Sequence, residues 1–235
     1  MVFSKRSLAR NGPPLDGARF DAFLETLKKQ PALSALLLHR IYYYDAPPFE
    51  ESVDKPLNGG GKTNFGTTPL SRPNKALFER LREAPFVSLR LGELAFRGWK
   101  LAKQRLSGAS GSDITVRAGD LRPDIQQKGV DMRIGLDIAS LTLKRHVDVI
   151  VLVTGGSDFI LAMKFARREG AQLFPVPLGH SIESGLKEHA DLILDKITPP
   201  QLTAPEPTKG SLETNEAGPE PVEPIYPQTV TAGAK

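Results

Sequence analysis

Apolar residues in the second half of the chain recur at the spacing of a helix. One stripe, at intervals of four, four and three positions, consists of Val130, Ile134, Ile138 and Leu141. It predicts an amphipathic helix from residue 130 to about residue 143. Residues 147–153 follow as a nearly continuous apolar run, which is typical of a strand buried on both faces of a parallel sheet.

The rest of the chain alternates between the two kinds of pattern. Helical spacing predicts helices over residues 20–29, 74–82, 158–169 and 182–190. Short apolar or alternating runs predict strands over residues 36–44, 86–91, 171–176 and 191–194, with residues 93–99 pairing to 86–91. Such alternation predicts an α/β fold with a doubly wound, mostly parallel sheet flanked by helices.

The two ends of the chain differ from this pattern. Residues 1–19 form a poorly defined segment, and residues 20–198 contain the predicted domain. Residues 199–235 hold eight prolines, many Glu and Thr residues and few large apolar groups. Such a composition buries too little surface to offset its ordering entropy, so we expect a disordered tail that could recruit a protein partner.

Composition and charge narrow the classes of function. There is no cysteine, which excludes disulfides and thiolate metal sites and leaves oxygen or imidazole ligands for any metal. No apolar run reaches the roughly 18 residues needed to cross a membrane, so we expect a cytoplasmic protein. The net charge of +4 permits binding to a polyanion such as RNA without requiring it.

The loop from Thr154 to Asp158 follows a predicted strand and opens a predicted helix. Ligands of parallel sheets bind at the carboxyl ends of strands, and the start of a helix favours anions there. The alternative is a local structural role, in which Ser157 caps the helix and Asp158 interacts favourably with its dipole.

Two further aspartates lie on the helix predicted from residue 130. At about 100° per residue, Asp137 points within about 20° of Val130, towards the buried stripe. A carboxylate buried there needs a metal or a counter-ion, and Arg133 or Lys144 would supply the latter. Asp131 lies near the other edge of the stripe, where an ordinary solvated acid in the first turn is the alternative.

A basic segment with interleaved aromatic residues covers residues 90–105. Arg97, Lys100 and Lys103 are candidate phosphate contacts, and Phe96 and Trp99 are candidate stacking partners for bases. The alternative, which we favour, is an ordinary solvated face that Trp99 anchors to the core.

Several separate segments resemble the NYN domain of the LabA-like type, a PIN-like nuclease fold. They agree in order and spacing between about residues 40 and 196: Ile41–Tyr44 with Asp45-Ala46-Pro47-Pro48, Gln127-Lys128-Gly129-Val130-Asp131, Leu136-Asp137, residues 151–159 around Gly155-Gly156-Ser157-Asp158, and residues 163–170. The combination is specific, whereas the glycine-serine turn alone would be weak.

The resemblance implies a metal-dependent ribonuclease. Asp131, Asp137 and Asp158 would be catalytic and would hold Mg²⁺ or Mn²⁺, with Thr154 and Ser157 as polar support. Hard cations prefer oxygen ligands of this kind. The alternative function is a non-catalytic RNA-binding or regulatory module on the same fold.

Two departures from the family pattern weaken the nuclease hypothesis. The family has an acid where this chain has Gly156, and glycine supplies no ligand. The family also opens with a buried strand that ends in Asp, and no such strand is predicted here. Asp16 is the candidate acid, but two prolines precede it and disfavour a central strand. We therefore expect a gap in the sheet and a missing acid.

Overall fold

The computed structural model describes residues 1–4, 15–57, 61–68, 71–103, 115–154, 156–179 and 181–197. The predicted tail, residues 199–235, lies outside these ranges. Within them the chain forms a mixed α/β domain, which confirms the predicted fold class.

Five parallel strands form the main sheet in the order β5-β2-β1-β8-β9. The strands are β1 (Val2–Ser4), β2 (Ile41–Asp45), β5 (Val87–Leu91), β8 (Val149–Val153) and β9 (Gln172–Val176). Four of them coincide with predicted strands, because each is a short apolar run bounded by turn residues. The strand predicted over residues 36–44 starts later than predicted, at Ile41.

The first strand was missed, and the expected gap in the sheet was wrong. β1 is the central strand, with Val2 aligned to Tyr42 on one side and to Leu152 on the other. Three residues are too few to show a pattern in the sequence, so its place is fixed by its neighbours. It ends at Ser4, so the expected acid is replaced by serine.

Helices cover both faces of the sheet. They are α1 (Gly17–Lys28), α2 (Ser71–Glu83), α3 (Val130–Leu143), α4 (Ile160–Arg168) and α5 (Ser184–Glu188). Phe20 of α1 and Leu77 of α2 pack in one core with Tyr43, while Ile138 of α3 and Met163 of α4 pack in the other with Tyr44. Successive side chains of β2 thus pack into the cores on opposite faces of the sheet, as expected for a strand buried on both faces.

Two antiparallel ribbons stand beside the main sheet. β3 (Ser52–Asp54) pairs with β4 (Lys62–Asn64), and β6 (Glu93–Leu101) pairs with β7 (Leu121–Lys128). The prediction that residues 93–99 pair with residues 86–91 is therefore wrong. β5 pairs with β2, and after the chain turns at Gly92, β6 pairs with β7 instead.

A β-bulge gives the β6–β7 ribbon one apolar face. Phe96 lies opposite Ile125 and Trp99 opposite Pro123, so two residues of β6 stand against Asp124 alone. One of those two is Gly98, whose φ of +108° suits glycine. The extra residue brings the rings of Phe96 and Trp99 to the same face, where their centroids are 5.9 Å apart.

The final predicted strand, residues 191–194, is not a strand. This segment runs beside β9, where the Asp191 and Leu194 N–H groups donate to the Leu173 and Pro175 carbonyls at 2.9 Å. Pro175 has no N–H to return, so a regular ladder cannot form there. The α5 helix is also shorter than the predicted residues 182–190.

The two sides of α3 differ in exposure, which gives a test of its packing. We expect Ile138→Ala to lower the free energy of unfolding by about 2–5 kcal/mol, because the side chain is 0% exposed and its removal leaves a cavity. Leu136→Ala is the matched control, since Leu136 is 62% exposed and its loss should cost less than about 0.5 kcal/mol. Urea titration at low protein concentration measures both; equal losses would contradict this orientation of α3.

Candidate functional site

The order of the strands points to one edge of the main sheet. From β1 the chain builds β2 and β5 on one side, then crosses to build β8 and β9 on the other. The direction of winding therefore reverses between β1 and β8. Open α/β sheets bind ligands in the crevice at the carboxyl ends of the strands where this reversal occurs. Ser4 ends β1, and Thr154 directly follows β8.

The turn after β8 is built around a buried threonine. Thr154 is 3% exposed, and its Oγ1 accepts a hydrogen bond from the Gly156 N–H at 3.1 Å. Ser157 begins a short 3₁₀ helix, Ser157–Phe159, in which Asp158 is exposed. Phe159, rather than Ser157 or Asp158, is the N-cap of α4. Asp158 lies in the first turn of this 3₁₀ helix, where the local alternative also placed it.

Gly156 occupies a position that has room for a side chain. A Cβ built there would lie 3.8 Å from Thr154 Oγ1 and 4.0 Å from a ring carbon of Phe159, which are ordinary contacts. The glycine is therefore not required by crowding. The Cβ of the acid that the resemblance implies here would therefore be accommodated.

Asp137 is held by two groups from the sheet. Its Oδ2 accepts a hydrogen bond from the Tyr44 hydroxyl at 2.8 Å and another from Arg90 Nε at 2.9 Å. Arg90 also donates from Nη1 to Ser88 Oγ at 2.8 Å, and its guanidinium lies 5.1 Å from the ring centroid of Tyr42. The sequence indicated that Asp137 needs a counter-ion or a metal, and a strand supplies the counter-ion.

The predicted salt-bridge partners of Asp137 were the wrong ones. Arg133 and Lys144 lie on the same helix, whereas Arg90 lies on β5, 47 residues away in sequence. The side chains of Arg90 and Asp137 are 35% and 26% exposed, so solvent screens the pair only in part. Burial raises the pKa of the Tyr44 hydroxyl well above its ordinary value, and the hydrogen bond to Asp137 raises it further.

Asp131 points away from this network. It is exposed in the first turn of α3, as the local alternative predicted. Six helical positions separate it from Asp137, which corresponds to about 9 Å along the axis and about 120° around it. The two carboxylates therefore diverge and do not address a common point on the sheet.

Asp45 is an acid at this edge that the sequence reasoning missed. It ends β2, next to the central strand, and is 7% exposed. Its Oδ1 accepts the N–H of Ala46 at 2.8 Å. Burial raises the pKa of the neighbouring Tyr43 hydroxyl, and the Asp45 carboxylate raises it further. The signal was present in the sequence, because Asp45 directly follows the apolar run of β2.

These acids do not fit a carboxylate metal centre. Within the described ranges, no three acidic or histidine side chains are grouped closely enough to hold a metal ion. Asp137 Oδ2 already accepts from Arg90 and Tyr44, Ser4 stands where the family has Asp, and Gly156 brings no oxygen ligand. A divalent cation needs several oxygen ligands at one point, and this arrangement does not supply them.

The predicted basic surface lies on the ribbon. Arg97, Lys100 and Lys103 are exposed, and Lys100 Nζ pairs with Asp124 at 2.7 Å. Lys100 lies on the face of the ribbon opposite Trp99, whose Nε1–H donates to the Asp54 carbonyl at 3.0 Å. Trp99 therefore links the β6–β7 ribbon to β3, and it is not part of either core. The basic and aromatic groups do not form one interleaved surface.

The sequence comparison points to a known family. Residues 92–195 match the family model of the NYN domain, in agreement with the resemblance over this segment. The NYN domain suggests a PIN-like, RNase-like fold. The matched segment includes Asp131, Asp137 and Asp158.

The other comparisons add little. A solved structure of a protein of unknown function from Vibrio parahaemolyticus is similar at 16% sequence identity and a TM-score of 0.43, covering 84% of this chain and 92% of that one. No curated protein matches the sequence. In the part of the chain that the structure describes, no helix is long and apolar enough to span a membrane.

The buried tyrosines give a prediction for stability at high pH. Because the folded protein holds the Tyr44 hydroxyl protonated, its pKa is higher in the fold than the ordinary value of about 10 in the unfolded chain. This contribution to stability is complete below about pH 10 and is lost as the pH rises further. We therefore expect Tyr44→Phe to lose less stability than the parent between about pH 9.5 and pH 11.5.

Denaturant titration at a series of pH values measures this difference. Tyr43→Phe should behave in the same direction, since burial also raises the pKa of that hydroxyl. Between about pH 6 and pH 8, the difference in stability between Tyr44→Phe and the parent should stay constant, because no tyrosine titrates there. Parallel curves over the whole range would show that Tyr44 ionises alike in both states.

Proposed function

We propose that this chain is an RNA-binding domain of the NYN type that holds RNA phosphates with its own cationic side chains rather than through a divalent metal. The observation that carries the proposal is the Arg90–Asp137 pair. In this pair the Arg90 guanidinium binds Asp137, the carboxylate that the family resemblance assigns to a metal. An acid neutralised by a fixed cation has little affinity left for a second one.

The acids at the crevice support the same conclusion. Ser4 at the end of the central strand and Gly156 after β8 carry no charge, although both family positions are acidic. Ser4 is followed in sequence by Lys5 and Arg6, and no acid occurs before Asp16. Fewer carboxylates reduce the repulsion that a phosphate meets at this edge, so a metal ion is less needed to screen it.

The overall charge is also unevenly distributed. Residues 199–235 hold five Glu and two Lys residues and therefore contribute −3 to the net charge of +4. Residues 1–198 accordingly carry +7. A domain with this excess attracts polyanions, and the attraction falls as salt rises. Arg97 and Lys100 on the ribbon, with Lys103 just after it, are candidate phosphate contacts within that field.

The second candidate function is metal-dependent cleavage of RNA, as in a LabA-like ribonuclease. In this case Asp131, Asp137 and Asp158 bind Mg²⁺ or Mn²⁺ and carry catalysis, with Thr154 and Ser157 in support. The family match favours it, because the matched segment spans all three aspartates. The exposed position of Asp158, which does not cap α4, favours it as well.

Binding and cleavage are separated by one experiment on the parent protein. We expect a labelled single-stranded RNA to bind with equal affinity in EDTA and in Mn²⁺, measured by fluorescence anisotropy, and to remain intact in Mn²⁺ on a gel. The logarithm of the affinity should fall linearly with the logarithm of the salt concentration. If binding requires Mn²⁺, or if the RNA is cut and Asp158→Asn abolishes the cutting, the second candidate is correct.

The neutral position 156 offers a matched pair of variants. Gly156→Asp adds the family's acid and Gly156→Asn adds the same shape without charge, and both fit the space available. Combined with Ser4→Asp, the first should bind Mn²⁺ detectably by electron paramagnetic resonance and bind RNA several-fold more weakly in EDTA. Ser4→Asn with Gly156→Asn should do neither. If the parent binds Mn²⁺ as well as the acidic double variant, the missing acids are not what limits metal binding.

A further inference from the structure

The main sheet has a gap at its amino edge, on the side opposite the crevice. Sheet pairing of the central strand β1 begins at Val2, which is aligned to Tyr42 of β2 and to Leu152 of β8. β8 begins three residues before that level, at Val149, where it already pairs with β9. Within the described ranges, the side of Val149–Val151 that faces β1 therefore extends beyond the last residue pair with β1.

The chain segments that lead into β2 and β8 form the two walls of this gap. Residues 36–39 on one wall and residues 146–149 on the other line a cavity of about 680 Å³. Met1 also lines the cavity, at the end nearest β1. Because β2 and β8 are the two neighbours of β1, the cavity continues the line of β1, where a strand between the two walls would run. We call this cavity the amino-edge slot.

The backbone of both walls directs hydrogen-bonding groups into the slot. Alternate residues of a parallel strand bond to opposite neighbours. The Asp148 carbonyl accepts from the Gln172 N–H at 2.8 Å, so Asp148 faces β9 and Val149 faces the slot. On the other wall the Arg40 carbonyl accepts from the Met1 amino group at 2.8 Å, so Arg40 faces this side of β2. Backbone groups exposed at such an edge are a template for an added strand.

Apolar side chains surround the same slot. Leu36 and Leu37 are consecutive and line it, yet they are 44% and 99% exposed. Leu33 and Val151 line it from the buried core beneath. Adjacent exposed apolar residues at a cavity are typical of an interaction site. A ligand that matches both the backbone and the apolar lining is an extended peptide with apolar side chains at alternate positions, because alternate side chains of a strand point to one face.

We propose that the amino-edge slot binds an extended peptide of a partner protein as an added strand between β2 and β8. Residues 146–149 span about four strand positions, or roughly 13 Å, which sets the length of the bound segment. The exposed rings of His39 and His146 lie 6.1 Å apart between centroids on opposite walls, and exposed side chains turn aside within nanoseconds. The slot and the crevice lie at opposite edges of the sheet, so peptide binding is separate from RNA binding.

Fluorescence anisotropy with a labelled seven-residue peptide tests the proposal. The probe has valine at three alternate positions, threonine between them and a lysine at each end, which prevents general attraction to the basic domain. It should saturate the parent between about 1 and 1,000 μM. The same peptide with N-methylated valines keeps the side chains but cannot donate from these positions, so it should bind at least tenfold more weakly. A parent that binds neither peptide, or binds both equally, would overturn the proposal.

A matched pair of variants tests the wall formed by β8. Val149→Pro removes the N–H that faces the slot, and proline is tolerated where a strand N–H has no partner in the sheet. We expect it to bind the probe at least tenfold more weakly than Val149→Ala does, because the alanine variant shortens the side chain but keeps the N–H. Urea titration checks that both variants fold. Equal affinities of the two variants would contradict the added strand, and if Val149→Pro is unfolded, the N-methylated peptide decides.

Filling the slot from within the chain gives a further control. A valine-threonine segment fused directly before Met1 continues β1 into the slot, so this variant should bind the free probe at least tenfold more weakly and unfold at a higher urea concentration than the parent. A glycine-serine segment of the same length should leave probe binding unchanged, because glycine has low strand propensity. If the valine-threonine fusion binds the probe as tightly as the parent does, the probe binds elsewhere on the chain and the proposal is wrong.

Discussion

Much of this structure depends on how the negative charge of Asp137 is neutralised. Helix α3 turns this carboxylate towards the sheet, where water reaches it only in part. Arg90 from β5 and Tyr44 from β2 both meet one oxygen of it, so a single acid ties the helix to two adjacent strands. The same acid is a candidate metal ligand by the family resemblance, and here its Oδ2 already accepts two hydrogen bonds from the sheet.

The crevice between β1 and β8 also lacks acidic side chains that the resemblance implies. Serine and glycine stand at two positions where the resemblance implies acids, and a Cβ at Gly156 would make only ordinary contacts. The fold of this domain and the charge of its crevice are therefore set by different residues. The winding of the sheet locates the crevice, whereas a few side chains on its rim set the charge that it presents.

How far the sequence predicts this structure varies by element. The bounds of α3 were predicted closely, since its buried stripe spans about three turns. β8 was recognised because a short run of aliphatic residues is typical of a buried parallel strand. β1 escaped because three residues carry no periodicity. The partner of Asp137 escaped because Arg90 is adjacent only through pairing of β5 with β2, which no local pattern encodes.

The position of β1 has a consequence for how the protein is made. This strand is the first to leave the ribosome, yet one of its neighbours, β8, is synthesised about 110 residues after the other, β2. At roughly 5–20 residues per second, that interval lasts several seconds or more. Throughout it, the edge of β1 that faces β8 lacks its final partner, and such an unpaired edge is a template for pairing with another chain.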